Sequence, residues 1–263
     1  MKSILALARI VWLGVIRRKE VYVLFILLAS SFVTLISIDV FGLSGMSRYI
    51  IDTGMIMAWL FGWIFAVTTG ARELPQEQTR GTIYSLLSKP VTRLEVIIGK
   101  WLGAWSVVCV ALLAFYALTF LLVKARGTSI NTASLAQAYL LHCALLSIIV
   151  ALAVALSTRL NSDAASTLAF VITAASFLVV PRVPQFMVSE NEIKSFLLLV
   201  TYHALPHFEI FDLRQRVVHG LGPVEWKVFW QVIAYGFSMT VFFITLAWIA
   251  LRKKMFVRGS LSQ

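Results

Sequence analysis

Charge is what this sequence has least of. Asp, Glu, Lys and Arg together make up 13% of the 263 residues, about half the ~25% usual in soluble domains. Hydrophobic residues make up 60%, and the mean hydropathy is +0.88. A water-soluble fold could not bury that much apolar surface, and a disordered chain would not carry it. Only two cysteines occur, Cys109 and Cys143, both inside apolar runs, which excludes a disulfide scaffold. No internal repeat, low-complexity tract or Gly/Ser linker divides the chain, so residues 1–263 read as a single membrane domain. No small-residue cleavage site follows the apolar stretch Ser3–Ile16; Arg17-Arg18-Lys19 stands there instead. That stretch therefore does not read as a signal peptide.

What is present is a set of long apolar runs without the alternating pattern of a barrel. Six are long enough to cross a ~30 Å hydrocarbon core as helices: Val21–Phe41, Gly54–Ala71, Trp101–Val123, Leu135–Ser157, Ala164–Val180 and Val228–Leu251. Residues 1–20 are too short and too interrupted by Arg9 to span. They read as an amphipathic interfacial helix with Lys2, Arg9 and Arg17 toward headgroups; extension of the first span is the alternative. The net charge of +11 is distributed unevenly. With the N-terminus inside, the inner segments carry 15 Lys and Arg and the outer ones 8, while acidic residues divide 5 and 7. This asymmetry predicts cytoplasmic termini, and it assigns the basic residues to anionic lipid or an acidic partner rather than to nucleic acid.

Small residues recur along the second span at Ala58, Gly62, Ala66 and Gly70, and again at Gly99 and Gly103. Such stripes let helix backbones approach closely in lipid. The sequence leaves open whether the approaching helix belongs to this chain or to another copy. Ser147, Ala151 and Ala155 form a similar set in the fourth span.

Two connections are long. The outer one, residues 181–227, contains the apolar stretch Phe196–Leu205. It is too short to cross and reads as a re-entrant helix or as a surface helix capping the bundle. The inner one, residues 72–100, has more punctuation. Gly81 interrupts a preceding helix, and Thr82 can cap a new one. Ile83, Leu86 and Leu87 share one face of that helix, and Pro90 stops it. Thr92 and Glu95 then form a capping box, with Val91 and Val96 as its hydrophobic staple. The result is a short amphipathic helix between two breaks, joined stiffly to a span. Its apolar face fits either the lipid surface or a groove in another protein.

The order Glu77, Gly81-Thr82, Leu86-Leu87, Pro90, Thr92-Arg93, Gly99-Lys100 resembles the signature of type-2 ATP-binding-cassette (ABC) exporter permeases. Six spans, an N-terminal interfacial helix and a long last outer loop are similar to that family over essentially the whole chain. The resemblance implies an all-α membrane permease of the bacterial-type cytoplasmic membrane. It makes 72–100 a coupling loop whose Glu77, Gly81, Thr82, Ile83, Leu86, Leu87, Pro90 and Arg93 serve ATPase docking, and 181–227 a gate. It also implies a pair of permease chains, either two copies or one with a related partner, working with two cytoplasmic ATPase subunits. ATP and Mg would bind in those subunits, because this chain lacks a G-x-x-x-x-G-K-[ST] loop.

Two readings compete with export. His203, His207, Glu209 and Asp212 could form an outer metal site in a membrane-embedded enzyme, although Pro206 spoils the helix that would align the two histidines. The chain could also be a scaffold that docks an ATPase and transports nothing. Acidic residues are absent from the expected span interiors, which makes a proton relay through His142 the poorer reading beside a hydrogen bond. Trp226, Trp230 and Tyr235 read as interface anchors.

Overall fold

A computed structural model describes residues 2–17, 47–79, 92–125, 130–184 and 205–252, together with isolated positions within 26–37 and 196–202. The described residues are mostly helical and contain no strand. The helices are α1 (Lys2–Arg17), α2 (Ser47–Thr79), α3 (Arg93–Ala125), α4 (Thr132–Ser157), α5 (Ser162–Leu178), the short α6 (Arg214–Val218) and α7 (Trp226–Arg252). Among the described residues, five helical segments are long and apolar enough to cross a membrane: those of α2, α3, α4, α5 with the turn that follows it, and α7. Most of the expected first span, Val21–Phe41, lies outside the described residues.

Local chemistry sets the helix starts. Asn131 caps α4 by accepting from the amides of Ala133 and Ser134, and Asn161 caps α5 by accepting from Ala164, satisfying donors with no partner inside the helix. At α3 the expected capping box is formed: Thr92 N–H donates to Glu95 Oε2 at 2.9 Å, and Glu95 N–H to Thr92 Oγ1 at 3.2 Å.

Close contacts give the directions of the helices. Gly62 of α2 faces Leu112 of α3, and Glu73 faces Lys100, so these two helices are antiparallel. Gly62 also faces His142 and Leu146 of α4, and Gly70 faces Val150 and Ala153, so α2 and α4 run together. α7 joins them, with Ser147 Oγ 2.9 Å from Thr240 Oγ1. α1 follows α3, since Gly99 meets Ile4 and Leu7 while Gly103 meets Ala8 and Val11.

Both glycine stripes therefore find their partner helices within this chain, and Ala58 and Ala66 of the first are fully buried. α1 is docked along α3 through buried Leu7, Ala8, Val11 and Val15, and Trp12 Nε1 donates to Ser106 Oγ at 2.8 Å. Its Arg9 and Arg17 are exposed.

α4 is the central helix, with 78% of its most apolar stretch buried against 17% for α7. Indole and phenol donors tie α3 to it. Trp101 Nε1 donates to Ser147 O, Trp105 Nε1 to Cys143 O, and Tyr139 OH to Cys109 O. In hydrocarbon such donors have no water to fall back on, so each crosslinks two helices.

Candidate site at the base of the docking loop

The connection between α2 and α3 is shorter than the expected inner loop. α2 continues through Thr79 despite Pro75, and α3 begins at Arg93. Residues 80–91 lie outside the described residues, and with them Gly81, Thr82, Ile83, Leu86, Leu87 and Pro90. The structure describes the frame on which that segment is mounted.

Lys100 is the centre of the frame. It is 2% exposed, and its Nζ donates to Glu73 Oε2 at 3.1 Å and Glu77 Oε1 at 2.8 Å. Glu73 and Glu77 are one helical turn apart on α2 and present their carboxylates on one face. An ammonium buried this deeply could not be left alone in a low-dielectric interior, and the two carboxylates supply its opposite charge. The first and last residues of the sequence signature, Glu77 and Lys100, thus meet across the antiparallel pair. Glu73 was not among the expected site residues, and its spacing of four from Glu77 was the signal available.

The expected spans, Gly54–Ala71 and Trp101–Val123, contain no charge. The helices that carry them do, because both extend past the apolar run and bury Glu73 and Lys100 within the bundle. The charges thus lie just beyond the expected spans, on the same helices. The cause is that helix continuation depends on backbone hydrogen bonding and partner charges as well as on apolarity.

Arg93 provides a second anchor. Its Nη1 lies 2.7 Å from both Leu251 O and Arg252 O, the last carbonyls of α7. A guanidinium on carbonyls toward the C-terminal side of a helix also carries the charge sign that the helix dipole favours there. The third anchor is Gly99, where a Cβ would lie 2.6 Å from Leu7 Cβ and 3.1 Å from Ile4 O. One end of α3 is thereby fastened to α2 by charge, to α7 by the Arg93 hydrogen bonds and to α1 by backbone contact.

The outer candidate looks different. His203 lies outside the described residues. His207 sits in a non-helical stretch with its backbone N–H donating to Tyr235 OH at 3.0 Å. Tyr235 therefore pins the segment that leads into α6, and Trp226 and Trp230 are exposed. Among the described residues no group of three His, Cys, Asp or Glu side chains could hold a metal ion. Phe208 and Phe211 plug into the core, and Asp212 is occupied by Arg214. His142 is buried, stacks on Trp59 at 4.9 Å and has its Nδ1 3.4 Å from Tyr116 OH.

A family model described as "ABC-2 family transporter protein" matches residues 8–252. The chain belongs to this ABC-2 transporter family. It is accordingly a type-2 ABC permease, a membrane transport subunit whose match reaches from α1 through all of α7. No curated protein matches the chain. In this ABC-2 permease Glu73, Glu77, Arg93, Gly99 and Lys100 all fall within the matched region, whereas Ile4 and Leu7, which Gly99 meets, precede it.

Proposed function

We propose that this ABC-2 permease is the membrane-spanning subunit of an ATP-driven exporter and that residues 80–91 dock a separate cytoplasmic ATPase. The supporting observation is the triple fastening of the segment's flanks through Lys100, Arg93 and Gly99. A docking helix can bias two states of a bundle only when its mount is stiffer than the loop it displaces. Lys100 ties the exit of α2 to the entry of α3, so a push on the loop moves both helices together. Arg93 carries the same push to the end of α7.

In this reading both termini and the Lys100 end face the cytoplasm, and the outer segment lies across the membrane from them. Six spans are completed by residues 21–41. Two permease chains, identical or related, work with two ATPase subunits that hold ATP and Mg. The host membrane is of the bacterial cytoplasmic type.

Tagged chain purified from its native membrane should recover an ATP-hydrolysing protein. Leu86→Asp and Leu87→Asp should each abolish that recovery, because a carboxylate on the docking face must be desolvated against the groove. The variants should still run as monodisperse, helical permease. Undiminished ATPase recovery by both would sink the docking role.

A further inference from the structure

At the end of the bundle opposite Lys100, α2, α5 and the segment around α6 line an open cavity of ≈ 500 Å³, within the size range of small-molecule sites. Its walls include Trp59 and Trp63 of α2 and Phe177 of α5. Three ionisable residues also line it: Glu209, Asp212 and Arg214.

Arg214 and Asp212 satisfy one another. Arg214 Nε and Nη2 reach the Asp212 carboxylate at 2.7–3.0 Å, and the guanidinium lies over the Trp59 ring at 5.0 Å. Burial works against the Arg214 charge, but the hydrogen bond and charge of Asp212 outweigh it and hold its pKa above the usual arginine value.

Glu209 is in a different state. Its Oε2 is buried with no hydrogen-bond partner among the described residues. A carboxylate oxygen buried without a donor lacks what a hydrogen bond or a positive charge would supply, and Glu209 is a lining residue of the cavity. The lining thus holds two carboxylates, Glu209 and Asp212, against the one guanidinium of Arg214. Arg182, next to Pro181 of the lining, is exposed. The aromatic faces that remain, Trp63 and Phe177, meet edge to face at 5.7 Å and favour a cation over an anion.

We propose that this cavity binds an organic cation carried on an apolar body, with Glu209 as its counter-charge and Trp63 and Phe177 as its aromatic wall. As a cargo class the assignment rests on the exporter reading; as a binding site it stands without it.

The probe is radiolabelled tetraphenylphosphonium, in equilibrium dialysis against the full chain in nanodiscs of zwitterionic lipid with empty nanodiscs subtracted. Binding should saturate and should not be displaced by tetraphenylborate, the anion of the same shape. Glu209→Gln should weaken it about ten-fold, equivalent to one lost charge contact of moderate strength. Trp63→Leu should weaken it too, with Trp63→Phe recovering part of the affinity. Glu225→Gln, which removes an exposed carboxylate from the same end, should leave it unchanged. Unsaturable uptake equal to empty nanodiscs, equal displacement by tetraphenylborate, or full affinity in a folded Glu209→Gln variant would each overturn the site. Failure of the wild-type chain to recover an ATPase would instead strike the exporter reading and leave the binding result intact.

Discussion

Lys100→Met should cost about 3–5 kcal/mol of stability, the usual penalty for removing one partner from a buried ion pair. The substitution keeps the length and apolar stem of the side chain, so the loss is not one of packing volume. What changes is that Glu73 and Glu77 no longer share an ammonium at 3.1 and 2.8 Å. Against a total stability of ~5–15 kcal/mol, purified protein should show a sharply lower unfolding temperature and reduced yield. Neutralising the carboxylates as well, in Lys100→Met with Glu73→Gln and Glu77→Gln, should regain most of that loss, since a buried ionic group replaced as a whole is often tolerated. That combination separates stability from coupling. The triple variant should fold yet transmit ATPase action poorly, because a charge-fixed joint has become three neutral side chains. A Lys100→Met protein as stable as its parent would mean that the cluster is not sequestered from water.

Gly70→Leu should damage the bundle far more than Gly62→Ala, although both alter the same small-residue stripe. At Gly70 a Cβ would lie 2.9 Å from Ala153 Cβ and 3.1 Å from Val150 O. One of those atoms is helix backbone, so α2 must move bodily away from α4 before any larger side chain fits. Overpacking of this sort costs roughly 1–3 kcal/mol and at times more, and α4 is the helix on which the bundle closes. At Gly62 the nearest atoms are side-chain ends, His142 Nε2 and Leu146 Cδ1, both at 3.4 Å, and rotamer adjustment can absorb a methyl group. Thermal unfolding of the two variants in one detergent checks the order. Equal losses would contradict the packing described here.

That contrast also marks how far the sequence could be read. Period-four spacing showed that Ala58, Gly62, Ala66 and Gly70 face a close neighbour. It could not identify α4, because pairing across 80 residues or more depends on the whole bundle. The Thr92–Glu95 box was legible because every atom in it lies within four residues. Glu77 and Lys100 were recognisable as members of a signature, but their ion pair was not, since it requires α2 and α3 to fold back in register. Glu73 and Arg214 escaped notice for a related reason. A charge beside an apolar run resembles a loop residue until a partner lets the helix continue and bury it. Arg93 was expected to act in docking, and the contact now visible is with the end of α7.

The account turns on what residues 80–91 touch, and a photo-activated crosslinker at position 86 in the full chain, irradiated in intact membranes, asks that directly. The predicted result is one protein adduct containing an ATP-binding subunit, lost when the label is moved to lipid-facing Leu113, which is 50% exposed. Adducts to lipid alone from position 86 would contradict the motor-docking role and leave the permease without an assigned drive.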